Sequence, residues 1–110
     1  MEVTVSELRR VTMLEVSGRV DSTTASQLGE VLNSQIDAGR YQLVIDLSRV
    51  PYMSSAGLRE LVAALKKVKQ YNGDLRIATP SDKVREVLDL AGLSAIFQIY
   101  PTQVDAVGSY

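Results

Sequence analysis

The chain has 110 residues, 45% of them hydrophobic, with 12 basic and 13 acidic residues, a formal net charge of -1, and neither cysteine nor histidine. Such a length and apolar content suit one compact domain, residues 1–110, with a core that needs no staple. The interspersed charge excludes the basic stripe with which a nucleic-acid binder displaces counterions, and the missing cysteines exclude a disulfide framework and thiol chemistry.

MEVTVSELRR carries acidic residues and no apolar run of signal-peptide length, and no segment approaches the roughly 18 apolar residues of a membrane span. A cytoplasmic protein with no membrane partner is expected. Val3, Val5 and Leu8 suggest a first strand and Val11 to Ser17 a second, joined at Arg9-Arg10. GRVD, Gly18 to Asp21, then closes the second strand, and Ser22 offers a helix cap. Ala25, Leu28, Leu32 and Ile36 form an apolar stripe that Gly39 ends.

Leu43, Val44, Ile45 and Leu47 are broken only by Asp46, the pattern of a strand buried on both faces. The strongest helical period follows in Leu58, Leu61, Val62, Leu65 and Val68. Its last turn carries Lys66, Lys67 and Lys69, where positive charge complements the helix dipole, and Asn72-Gly73 ends it. Leu75 and Ile77 predict a fourth strand, and Val84, Val87, Leu88 and Ala91 a third helix stopped by Gly92. Ile96, Phe97, Ile99 and Tyr100 predict a last strand, followed by a short helical tail with Val104 and Val107. The order β-β-α-β-α-β-α-β-α predicts an α/β domain with a mixed, mostly parallel sheet of about five strands.

Strands two, three and four each run into a crossover helix, so their C-terminal ends share one sheet edge. In open α/β sheets that edge receives ligands and partners. It carries Asp21-Ser22, the loop Ser48 to Ser55, and Thr79 to Ser81.

Catalytic readings fail one by one at that edge. A serine triad lacks its histidine, S-x-x-K and G-x-S-x-G are absent, and no phosphate loop appears. The carboxylates do not sit at calcium-loop spacing, and zinc has no nitrogen or sulfur ligand. No catalytic residue, metal or cofactor is expected. What remains is a helix start with two hydroxyls, Ser54 and Ser55, and one of them is an N-cap. Such a terminus, with free N–H groups and a positive dipole end, also accommodates a phosphoserine.

Asp46 to Leu61, DLSRVPYMSSAGLREL, resembles the signature of the STAS domain family, in particular the bacterial anti-sigma factor antagonists, which typically read D-x-S-x-V-x-x-[MI]-D-S-[SAT]-G-L. GRVD, PSDKVREVLDLAGL and the late IF extend the resemblance over nearly the whole chain.

The resemblance implies a regulatory protein without catalysis of its own. Its unphosphorylated form binds an anti-sigma factor, a serine protein kinase of the histidine-kinase-like ATPase fold, and so frees the sigma factor. The kinase phosphorylates the serine at the start of the second helix, and a serine phosphatase reverses the step. Carried over by position, the acceptor is Ser55, with Ser54 the second choice, and Asp21 is the acidic residue beside it. The implied partner surface takes in Asp21, Ser22, Ser48, Arg49, Tyr52, Met53, Ser54, Ser55, Gly57 and Arg59, on a chain expected to be monomeric when free.

One departure stands out. The residue before the acceptor is usually aspartate and here is Ser54, which removes a negative charge. That feature supports an alternative: a STAS module that is not phosphorylated, within a lipid-transport or signalling scaffold complex. A nucleotide or small-ligand binder at the same edge rests only on the anion-friendly helix end.

Overall fold

A computed structural model describes all of residues 1–110. Strands β1 (Glu2–Leu8) and β2 (Val11–Ser17) form an antiparallel hairpin whose turn places Arg9 at φ 62°. Then come α1 (Ala25–Asp37), β3 (Gln42–Arg49), α2 (Ser55–Lys69), β4 (Asp74–Ala78) and α3 (Asp82–Leu90). A single 3-10 turn (Leu93–Ala95), β5 (Ile99–Tyr100) and α4 (Gln103–Gly108) follow. The sheet order is β1-β2-β3-β4-β5, antiparallel for the first pair and parallel for the others. This is the mixed sheet that the hairpin and the alternating units require, since each parallel neighbour needs a crossover helix.

Period-2 alternation divides the sheet into two faces. Leu14 and Val16 of β2, Leu43, Ile45 and Leu47 of β3, and Leu75 and Ile77 of β4 form one buried cluster with the stripes of α1, α2 and α3. Burying each such leucine or isoleucine contributes roughly 1.5–3 kcal/mol. The opposite face carries a smaller cluster of Val11, Met13, Val44 and Ala78 under Ala106 of α4. Residues Leu43 to Leu47 are therefore buried on both sides, which explains their unbroken apolar run around Asp46.

The end of α4 is fastened to that second face by polar groups. The Tyr110 hydroxyl donates to the carbonyl oxygens of Leu43 and Asp74, both at 2.7 Å. Arg76 lies over the Tyr110 ring at 4.0 Å, pairs with Asp74 at 3.0 Å, and donates to Ser109 Oγ at 2.8 Å. Burial, and next the negative charge of Asp74, push the Tyr110 phenol well above its ordinary value.

Three sequence expectations are corrected. Gly18, at φ 96°, ends β2 at Ser17, so GRVD is not its continuation; Val20 instead forms an isolated parallel bridge with Met53. Ser22 does not cap α1. Asp21 heads a turn there, taking the N–H groups of Thr23 and Thr24 on its carboxylate and that of Ala25 on its carbonyl, and the helix begins at Ala25. Ile96 and Phe97 are not in the last strand: the N–H groups of both bond to the carbonyl of Leu93, closing the 3-10 turn, and Phe97 fills the core from there. The stop of α1 is as expected, with Gly39 at φ 86° and the Arg40 N–H bonded back to Gln35.

Candidate functional site

The edge formed by the C-terminal ends of β2, β3 and β4 is tied together by main-chain bonds. Gly18 N–H donates to Arg49 O at 3.0 Å, Val20 N–H to Tyr52 O at 2.9 Å, and Ser54 N–H to Val20 O at 2.8 Å. This short ladder continues the sheet past β2 and sets Asp21 level with Ser54, one residue before Ser55. The loop is held from its other flank as well. Ser81 Oγ donates to Val50 O at 2.9 Å while accepting from Val84 N–H, so it anchors the loop and caps α3 together.

At the start of the loop, Asp46 is buried although charged. Burial pushes its carboxyl up, but bonds from the Ser48 N–H at 2.8 Å and the Gln103 amide outweigh that and hold it below the usual range. Gln103 also reaches Glu15 of β2 at 3.2 Å, so α4 touches both β2 and, through Asp46, β3, the strand that launches the loop.

Gly57 explains how α2 begins so close to the ladder. A Cβ there would stand 2.7 Å from Val20 Cγ1 and also inside contact distance of the Met53 sulfur. Only glycine lets the first turn of α2 rest on the Val20–Met53 bridge. Met53 itself is 2% exposed and Gly57 is buried, so both shape the surface from within, whereas the sequence placed them on the partner surface itself. Ser22, Ser48, Arg49, Tyr52, Ser55 and Arg59 are exposed at or beside the edge.

The two adjacent hydroxyls are not equivalent. Ser54 has extended backbone, φ -81° and ψ 169°, and its Oγ accepts the Gly57 N–H at 3.2 Å; it is the N-cap. Ser55 is the first helical residue, exposed, with no hydrogen bond on its hydroxyl within the chain. The N–H groups of Ser55 and Ala56 also lack acceptors in the chain, as the first turn of a helix leaves them. Serine at position 54 thus does the capping that an aspartate would do, and the departure from the family pattern removes a charge while keeping the cap.

Asp21 completes the electrostatics. Its Oδ1 accepts the Thr23 hydroxyl at 2.7 Å, the Thr23 N–H at 2.9 Å, and the Thr24 N–H and hydroxyl at 3.1 and 3.2 Å. These bonds, the Thr23 hydroxyl first, push its pKa down to about 2, so it stays ionised. Two groups at this edge escaped the sequence reading. Thr23 and Thr24 were legible in principle, since D-x-T-T is an Asx-turn pattern. Arg19, whose guanidinium lies 4.5 Å from the Tyr52 ring centroid, left no local signal because the pairing spans the ladder.

No group of three or more histidine, cysteine or acidic side chains is placed to hold a metal ion, and no helix is long and apolar enough to cross a membrane.

The geometry has counterparts among known proteins. The STAS domain profile matches residues 2–106. BtrV of Bordetella bronchiseptica, a candidate anti-sigma factor antagonist, is 32% identical over 110 residues, which cover 100% of this chain and 95% of BtrV. The anti-sigma-F factor antagonist RsfB of Mycobacterium tuberculosis is 31% identical over 105 residues, 96% of this chain and 85% of RsfB. Among solved structures, an anti-sigma factor antagonist from Mycobacterium paratuberculosis superposes with a TM-score of 0.90 at 30% identity, covering 98% of this chain and 92% of that one.

Proposed function

The chain belongs to the STAS domain family, and from that premise we propose that it is an anti-sigma factor antagonist switched by phosphorylation of Ser55. Unmodified, it binds an anti-sigma factor that is also a serine kinase, through the exposed residues of the Ser48 to Ser55 loop, the start of α2 and Asp21-Ser22. The sigma factor is thereby released. The kinase then moves the γ-phosphoryl group of ATP to Ser55 Oγ, with release of ADP and the hydroxyl proton, and the complex dissociates. A serine phosphatase restores the binding form. The protein acts as a regulatory surface, without cofactor or catalysis of its own.

The observation that carries this reading is the division of labour between the two hydroxyls. Ser54 Oγ is engaged by its cap bond, while Ser55 is exposed and unbonded at a helix N-terminus that tolerates a dianion. A phosphate there meets the favourable helix end and the ionised Asp21 together. The fold is kept, and the charge presented to a partner changes sharply.

The test is incubation with the cognate kinase and ATP, read by intact mass and peptide mapping. One phosphoryl group is expected on the wild type and on Ser54→Ala, and none on Ser55→Ala. An unchanged adduct on Ser55→Ala overturns the assignment. A partner that co-purifies and proves to be a transporter or scaffold subunit, with no kinase fold, favours the unmodified STAS module instead.

A further inference from the structure

Arg19 and Tyr52 form a contact that the switch as described does not use. Both side chains are exposed, and the guanidinium carbon lies 4.5 Å from the ring centroid. None of the chain's ion pairs involves Arg19, so it is a free cation held only by an aromatic face. Its position is fixed by the ladder: Val20 N–H bonds to Tyr52 O, and Ser54 N–H to Val20 O. Arg19 and Asp21 flank Val20, and side chains two apart along an extended segment share a side. Asp21 stands level with Ser54 and Arg19 with Tyr52, so Arg19 and Asp21 share the side of the ladder that leads into the start of α2.

We propose that Arg19 is the internal counter-ion of phosphorylated Ser55, leaving the face of Tyr52 to bind the phosphate and so releasing that ring from its docked position. The inference rests on Ser55 as acceptor and adds how the modification is felt. An exposed cation–π contact is weak beside a bidentate guanidinium–phosphate pair, whose hydrogen bonds are charge-assisted on both partners. Asp21, whose Oδ1 is taken up by Thr23 and Thr24, makes no ion pair with Arg19 and carries one charge against nearly two on the phosphate. Phosphorylation thereby acts twice on the docking surface. It adds negative charge at Ser55, and it frees Tyr52, which is 42% exposed and stands in the same loop.

The experiment uses the full chain with phosphoserine built in at position 55 during translation, so it does not depend on any kinase. Phosphorus NMR follows the second ionisation of the phosphate, ordinarily near pH 6, in the wild type, in Arg19→Gln and in Arg59→Gln. Arg59, one turn further along α2, is the neighbouring cation that serves as control. Loss of Arg19 should raise the midpoint by about half a pH unit or more, since a nearby cation favours the dianion, and by more than loss of Arg59, which sits one turn from the phosphate with no aromatic contact to leave. Tyr52 ring and Arg19 Nε–H resonances should shift between unmodified and phosphorylated wild type. An unmoved midpoint in Arg19→Gln with unshifted Tyr52 resonances overturns the proposal, as does a larger shift from Arg59→Gln. Those outcomes leave the kinase result at Ser55 untouched, so failure of this inference is distinguishable from failure of the switch.

Discussion

Two polar clusters sit in this small domain, and they are finished differently. Around Tyr110, on the face covered by α4, donors and acceptors are spent on one another: Tyr110 on two carbonyls, Arg76 on Asp74 and Ser109 and the Tyr110 ring. At the sheet edge the supporting groups are equally engaged, Asp21 by its threonines, Ser54 by Gly57 and Ser81 by Val50. There, though, Ser55 and the first N–H groups of α2 are left over. Closed polar clusters add rigidity and specify packing, while open valences on a rigid frame are where another molecule is met. The presence of polar residues does not separate the two regions; the leftover hydroxyl does.

The largest effect is expected in the Tyr110 cluster. Arg76→Ala strands the buried Asp74 carboxylate, and stability should fall by about 3 kcal/mol, the lower end for a broken buried pair, because Lys69 still lies 3.4 Å from Asp74. Urea unfolding measures this, and Ser55 phosphorylation of the folded fraction should be unchanged. Tyr110→Phe removes one hydroxyl from two carbonyls and should cost about 1–2 kcal/mol by the same measurement. At the edge, Ser54→Ala loses the N-cap and should cost about 1 kcal/mol, with the Ser55 adduct retained. Ser55→Ala should change stability by less than about 0.5 kcal/mol and yet abolish the adduct. If Ser55→Ala were as destabilising as Tyr110→Phe, the edge would be another closed cluster and the contrast would be lost.

The two regions also fail at opposite ends of the pH scale. Tyr110 has its pKa raised on folding, so its contribution is present at neutral pH and is lost as pH rises past the ordinary tyrosine value of about 10. Asp21 has its pKa lowered from 3.8 to about 2, so its contribution is present above the unfolded value and fades as pH falls between those two. Thermal melts of Tyr110→Phe should flatten on the alkaline side. Those of Asp21→Asn should flatten on the acid side, and less so, since Asp46 and Asp89 are also lowered.

Much of this was legible in the chain. The run Leu43 to Leu47 required burial on two faces, the stripe from Leu58 to Val68 required a helix against it, and strand order then gathered Asp21, Ser55 and Ser81 on one edge. The signature DLSRVPYMSSAGL placed a helix start at Ser54-Ser55, where α2 begins. What stayed hidden was decided by contacts distant in sequence or by sub-residue geometry. Ile96 and Phe97 read as strand because apolar residues that close a 3-10 turn look the same in a linear pattern. Ser22 and Asp21 are both fit to organise the turn before α1, and only the bonds to Thr23 and Thr24 choose Asp21. Nothing local to Arg19 announces Tyr52, 33 positions on. Which of two adjacent serines is the cap depended on one bond, Gly57 N–H to Ser54 Oγ.

The most direct test of the account is the affinity of the anti-sigma factor for this protein with serine and with phosphoserine at position 55, measured by calorimetry at fixed ionic strength. A stable complex with the unmodified chain is expected, with binding weaker by at least about a hundredfold, roughly 2.7 kcal/mol, after phosphorylation. Equal affinities for the two forms would contradict it.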